Sequence, residues 1–433
     1  MSELKAQLCK SQNWKAPGID KVPNYWVKNI PFAHTLLTDS FNCYVLNPES
    51  LPAWVTKGRT VLLPKSRLTH DPKQYRPITC LTTTWKALTG IIASKIENHL
   101  NQYGIVAEEQ LGASRGSCGP KHHLMINKSI LELALRNKRN LSMLYVDYQK
   151  AYDSVPHGWI LEALRIYKVS SVIVNFLEKT MVNWCTDLFL YFEGGVIEVS
   201  GVQIRRGIFQ GDSLSPLLFI IALNPLSTLL NRRCRGFKFG DITVSHLLYM
   251  DDLKGFCENH VEVVKMAVLI DKFSSDIGMC LGLKKCNVIN IRGRKLAQLG
   301  AIKLDDGREI AELTSGEFYK YLGVEELVNL NHDKMKSKIL KEVKKKLRLV
   351  LSTELNSKNL VIAMNETIIP VLSYSFGVID WTEGEIQGVD ITVRKFLNMF
   401  KALEIKSDVD RLYVSRENGG GVLCQCRMST SVL

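Results

Sequence analysis

A chain of 433 residues, 46% hydrophobic and 23% charged, is long enough for about two to three structural units with their own cores, and its composition excludes a disordered or fibrous protein. With 56 Lys+Arg against 43 Asp+Glu the formal charge is +13, which favours a polyanionic partner without identifying one. The eleven cysteines show no Cys-x-x-Cys pair or zinc-type Cys/His grouping, which argues for reduced thiols in an intracellular protein, and no apolar run is long enough to serve as a signal peptide or to span a bilayer.

Turn residues fill Trp14-Lys15-Ala16-Pro17-Gly18-Ile19-Asp20 and lead into a helix predicted around Tyr25 to Ile30. A short strand, Thr60 to Leu63, is followed by a basic loop from Lys65 to Arg76. Leu88, Ile91, Ile92 and Ile96 share one face of a helix predicted from about Thr84 to Leu100. Another helix is predicted over His122 to Arg136, with Met125, Ile126, Ser129, Ile130 and Leu133 on its buried side, and the pair His122-His123 reads as solvated or packed rather than metal-binding. The apolar run Leu141 to Val146 is a strand ending on Asp147, and Pro156 marks entry to a helix that buries Ile160, Leu161, Leu164 and Tyr167. A long helix opens near Pro216, after Gln210-Gly211-Asp212-Ser213. From about Leu330 to Leu355, Met335, Ile339, Val343 and Leu347 recur every four residues, while Lys334, Lys338, Lys341, Lys344, Lys345 and Arg348 occupy other faces. That helix is either an ordinary solvated surface or a track along a duplex backbone. Helices packed on a small sheet make this an α+β chain.

Tyr249-Met250-Asp251-Asp252 lies between two apolar stretches, which makes it the tip of a strand-turn-strand. Adjacent carboxylates repel, so such a pair is either a solvated turn or a cation site. Asp147 at the end of a second strand supplies a third carboxylate and favours the cation site. Hard divalent ions take carboxylate and phosphate oxygens, and a pair of them activates a 3′-hydroxyl while stabilising leaving pyrophosphate, which is polymerase chemistry.

In order and spacing, Lys15-Ala16-Pro17-Gly18-Ile19-Asp20, Tyr75-Arg76-Pro77-Ile78, Val146 to His157, Gly207 to Pro216, Tyr249 to Asp252, Gly282 to Cys286 and Tyr321-Leu322-Gly323 resemble the reverse transcriptase of a non-LTR (LINE-type) retrotransposon. Pro77-Ile78-Thr79-Cys80-Leu81 is similar to the branch carrying a restriction-enzyme-like endonuclease. The resemblance implies a right-hand polymerase fold, with residues 1–45 leading into the fingers, 46–325 forming fingers and palm, and 326–433 forming a helical thumb and tail. Asp147, Asp251 and Asp252 would then hold two Mg²⁺ ions, for which Mn²⁺ could substitute. Lys65 and Arg76 would clamp the incoming triphosphate, where ammonium and guanidinium both suit phosphate oxygens. Tyr152 would be the steric gate against a ribose 2′-hydroxyl, Gln210 and Gly211 the pocket floor, and Lys285 a proton donor to pyrophosphate. Tyr321, Leu322 and Gly323 would form the primer grip. Asp153 is read as a structural acid or helix-start residue, because it follows Tyr152 and no asparagine stands between Gln210 and Phe219.

The implied activity is RNA-directed DNA polymerisation from a primer 3′-hydroxyl, with RNA template, DNA primer and deoxynucleoside triphosphates as partners, no membrane, and the nucleus as the expected place of action. The alternative is an inactive remnant that binds nucleic acid through its basic helix. Departures from the family point to a truncated element: no DNA-binding fingers or Cys/His knuckle with endonuclease flank the motifs, and Gly419-Gly420-Gly421 has glycine where arginine is expected.

Overall fold

A computed structural model describes residues 1–65, 71, 74–112, 119–404, 408–415, 417 and 421–424. Most of the basic loop between Lys65 and Gln74, the glycines at 419–420 and the tail beyond 424 lie outside the described residues. The chain forms two compact units interleaved in sequence: Met1–Ser117, Ser142–Val288 and Leu299–Glu312 in the first, Cys118–Leu141, Ile289–Gln298 and Leu313–Leu433 in the second.

The first unit mixes helices with two sheets, in keeping with the α+β expectation. One sheet runs Tyr75–Cys80, Lys57–Pro64, Cys185–Phe192, Gly195–Gln203, with the Lys57 and Cys185 strands parallel. Buried hydroxyls stitch its centre, Thr60 Oγ1 lying 2.8 Å from Thr79 Oγ1 and 2.7 Å from Thr186 Oγ1. In the other sheet Leu141–Val146 pairs antiparallel with Asp252–Cys257, which pairs with His246–Tyr249. All six residues of Leu141–Val146 are buried. That uniform burial explains why its sequence is a continuous apolar run rather than an alternation.

Helices Thr83–Gln102 and Ser215–Arg233 carry much of the core. The first begins where the Thr82 hydroxyl accepts the Trp85 N–H, and it buries Leu88, Ile92 and Ile96 as the spacing predicts. The helix after Pro156 spans His157–Ile166 and buries Ile160, Leu161 and Leu164, with Tyr167 as its C-cap. An N-terminal helix, Ser2–Lys10, buries Leu4 and Leu8 one turn apart.

In the second unit, helices His332–Leu351, Ser357–Thr367, Ile369–Ser373 and Glu383–Met399 enclose Val343, Leu347, Met364, Leu372, Val389 and Leu397. The last of these helices opens with a reciprocal capping box between Thr382 and Glu385. On the basic helix Met335, Val343 and Leu347 are buried and all six expected cations are exposed, although Lys334 and Lys338 both pair with Glu325.

The helix Pro120–Arg136 corrects one sequence reading. Its buried residues are His123, Leu124, Asn127, Ile130, Leu131 and Ala134, whereas Met125 and Ser129 are exposed. Apolar side chains populate both possible faces. The face is decided by a buried polar pair, Asn127 Nδ2 donating to Glu326 Oε2 at 2.6 Å, which must be inside to be satisfied.

Trp85 is fully buried beside the Phe176 ring. Trp85→Ala should lower the unfolding free energy of the first unit by about 3–5 kcal/mol, measured as a shift in urea denaturation midpoint.

Candidate active site

Register alone sets the acids. Tyr249 pairs with Asp252, so Met250 and Asp251 form a two-residue turn between His246–Tyr249 and Asp252–Cys257. Met250 has φ 57° and Asp251 is not left-handed, which matches the φ signs of a type II′ hairpin. A non-glycine residue there costs about 1–2 kcal/mol. On the neighbouring strand Val146 pairs with Leu253, so the register carried one residue further sets Asp147 opposite Asp252.

The Asp147 main chain is gripped from the segment 280–286. Gly282 N–H donates to the Asp147 carbonyl at 2.7 Å, and the Asp147 N–H donates to Cys286 Sγ at 3.4 Å. A Cβ on Gly282 would lie 2.8 Å from Asp147 Oδ2, so any larger residue there would push that carboxylate aside. The carboxylate itself accepts from Lys285 Nζ, at 3.0 Å to Oδ2 and 3.3 Å to Oδ1.

Burial, then the charges of Asp251 and Asp147, push the Asp252 carboxyl up to about 6. Asp251 is raised chiefly by burial, with Asp147 adding to it. Partly buried oxygen donors that repel one another fit a hard divalent cation, which would remove the repulsion. The side chains are not gathered into a finished cage: among the described residues no three Asp, Glu, His or Cys groups are close enough together to hold a metal ion as they stand.

All three aspartates line a cleft of ≈ 800 Å³ together with Lys65, Arg76, Tyr152, Gln210, Gly211 and Lys285. Arg76 lies on the strand Tyr75–Cys80 and Lys65 just beyond the strand paired with it. The Tyr152 ring stacks on Phe219, centroids 5.0 Å apart and planes within 13°, and burial raises its hydroxyl. Gln210 Nε2 donates to Asp153 Oδ1 at 3.2 Å, so Asp153 ties the short helix Ala151–Ser154 to the loop that carries Gln210. Gly211 has φ 129° and a Cβ there would meet the Thr79 carbonyl at 2.5 Å. The close approach that this glycine permits is therefore to the protein's own strand.

Tyr321, Leu322 and Gly323 belong to the second unit, where they form the turn of the hairpin Tyr319–Tyr321 and Val324–Glu326. Leu322 and Gly323 have φ 44° and 89°, and Tyr374 Oη donates to the Leu322 carbonyl at 2.7 Å.

Sequence reasoning missed several residues that shape the cleft. Asp212 is buried, accepts from Thr89 Oγ1 at 2.7 Å and is pushed up by burial, so it anchors the loop behind Gln210. Gln110 contacts the Met250 backbone. Their partners lie more than a hundred residues away, so no local pattern marks them.

Comparison with known proteins places these elements. A profile described as reverse transcriptase (RNA-dependent DNA polymerase) matches residues 63–325, more than half of the chain. The chain belongs to the reverse transcriptase family. Family membership carries the right-hand polymerase fold and a general dependence on divalent metal. The chain is similar to the retrovirus-related Pol polyprotein of the type-2 retrotransposable element R2DM of Drosophila melanogaster, 23% identical over 393 residues, 86% of this chain and 34% of that protein. It is also similar to the Pol polyprotein of a type-1 retrotransposable element R2 from Nasonia vitripennis, 28% identical over 274 residues, 62% of this chain and 26% of that protein. The reverse transcriptase chain thus spans about a third or less of these curated relatives. A solved structure of apo telomerase from Candida tropicalis, truncated from the C-terminal domain, aligns with a TM-score of 0.40 at 13% identity, covering 68% of this chain and 58% of that one.

Because the folded Asp252 carboxyl titrates near 6 against 3.8 unfolded, its ionisation costs stability that begins above pH 3.8 and is complete above about 6. In a chelating buffer Asp252→Asn should therefore stabilise the protein at pH 7.5 by about 1–3 kcal/mol, a gain that shrinks steadily toward pH 4, read from thermal unfolding midpoints.

Proposed function

We propose that this chain copies RNA into DNA by extending a primer 3′-hydroxyl, with Asp147, Asp251 and Asp252 as the ligands of two Mg²⁺ ions. The observation that carries the reading is the single cleft that combines the carboxylates of Asp147, Asp251 and Asp252 with the cations Lys65 and Arg76 and the stacked ring of Tyr152. When bound, the ions lower the pKa of the attacking hydroxyl and stabilise the charge that builds on pyrophosphate.

The protein's own part is positioning. Lys65 and Arg76 hold the triphosphate by charge and by the guanidinium fork. Tyr152, stacked against Phe219, presents a rigid wall where a 2′-hydroxyl would project, so deoxynucleotides are admitted and ribonucleotides collide. Gln210 and Gly211 form the floor. Lys285, whose ammonium lies on the Asp147 carboxylate, is the group that would donate a proton to the leaving pyrophosphate. The Tyr321-Leu322-Gly323 turn would hold the primer end, and the exposed cations of His332–Leu351 would follow a duplex backbone. A chromosomal primer would place this reaction in the nucleus. No described helix is long and apolar enough to cross a membrane.

On poly(rA) primed with oligo(dT), the protein should incorporate dTTP in Mg²⁺, and Asp251→Ala should lose at least about a thousandfold, the ~4 kcal/mol expected when a charge-stabilising group is removed. Undiminished incorporation by that variant would refute the assignment, and salt-sensitive RNA binding without incorporation in any metal would identify an inactive remnant. Separately, Tyr152→Val should admit ribonucleotides with dTTP use retained, and unaltered sugar selectivity would remove Tyr152 from the gate.

A further inference from the structure

We propose that Gln110 is a positioning residue for the Met250-Asp251 turn, acting together with Gly112 as a seat that fixes Asp251 and Asp252 for metal binding; the proposal rests on the polymerase reading above.

Gln110 is 1% exposed, although glutamine is ordinarily a surface residue. Its side chain brackets one residue of the acid hairpin: Oε1 accepts the Met250 N–H at 3.1 Å, and Nε2 donates to the Met250 carbonyl at 3.4 Å. The same Oε1 accepts the Gly112 N–H at 2.9 Å, which locks the amide in one orientation. Met250 is the residue held at φ 57°, so the bracket grips the strained peptide of the turn. Gly112 closes the seat. A Cβ there would stand 2.6 Å from Met250 Sδ and 2.8 Å from both Met250 N and Gln110 Oε1, so any larger residue would push on the turn and on the amide that holds it.

The seat is itself anchored. Leu111 N–H donates to the Leu248 carbonyl at 3.2 Å and Leu248 N–H to the Glu109 carbonyl at 2.9 Å, laying residues 109–111 along the edge of His246–Tyr249. Asn224 and Asn231, two turns apart on Ser215–Arg233, hold the segment from behind. Asn224 Oδ1 accepts the Ala107 N–H at 2.9 Å and its Nδ2 donates to the Ile105 carbonyl at 2.9 Å, while Asn231 Nδ2 donates to Glu109 Oε1 at 2.7 Å. Gln110 therefore presents its amide from a fixed frame, and small displacements of a metal-ligating turn are costly to catalysis.

The test uses Gln110→Met, which keeps the length and removes the polar atoms, Gln110→Glu, which keeps the accepting oxygen, and Gly112→Ala, which crowds both Met250 and the Gln110 amide. Relative to the parent, Gln110→Met and Gly112→Ala should lower kcat about tenfold to a hundredfold and raise the Mg²⁺ concentration for half-maximal rate severalfold, with the KM for dTTP changed less than about threefold. Gln110→Glu should retain more activity than Gln110→Met. A role in folding alone would lower the yield of active protein without moving the Mg²⁺ requirement. If Gln110→Met fails to fold, Gly112→Ala carries the same expectation. Parental kcat and Mg²⁺ dependence in the folded variants would overturn the proposal while leaving the polymerase reading intact. A parent that neither incorporates dTTP nor gains thermal stability with Mg²⁺ would overturn both.

Discussion

The antiparallel register between Leu141–Val146 and Asp252–Cys257 is the constraint on which the cleft depends. It brings carboxylates at two strand ends onto adjacent strands, where burial and the neighbouring charge make ionisation of Asp251 and Asp252 unfavourable. A lysine from the segment 280–286 partly relieves that cost by holding Asp147. An exposed ammonium contributes little on its own, so the centre stays electrostatically unsettled. Such a centre suits reversible occupation by cations better than a permanently neutralised one would.

The remainder of the first unit turns that instability into a shaped site. Gly282 and Cys286 grip the backbone of Asp147, Gln110 grips the backbone beside Asp251, and Asp212 holds the loop that carries Gln210. In each case the fixing contact is made to main chain or by a buried side chain. Position is supplied by the frame and charge by the tips.

The parts of this arrangement legible in sequence were those with local periodicity or local chemistry. Leu141–Val146 could be read to the residue because it is uniformly buried, and Tyr249-Met250-Asp251-Asp252 because paired acids between apolar runs leave few folds open. The N-terminal helix Ser2–Lys10 was not legible, since only Leu4 and Leu8 are buried in a polar segment. The face of Pro120–Arg136 was misread because hydrophobicity is ambiguous there and a buried Asn127–Glu326 pair decides it. Gln110 was invisible for a different reason. Its role exists only once residues 140 positions apart are folded together.

One contact has consequences for how the pocket works as a mechanism. Thr79 donates its N–H to the Gln210 carbonyl at 2.8 Å, and Gly211 sits against the Thr79 carbonyl too closely for any side chain between them. Arg76 is three residues away on the same strand. With Gln210 and Gly211 in the proposed role of pocket floor and Arg76 in the proposed role of triphosphate clamp, the two would be riveted to one another, and a shift of that strand on nucleotide arrival would carry the floor with it. Sensing the phosphates and testing the base would then be a single movement rather than two.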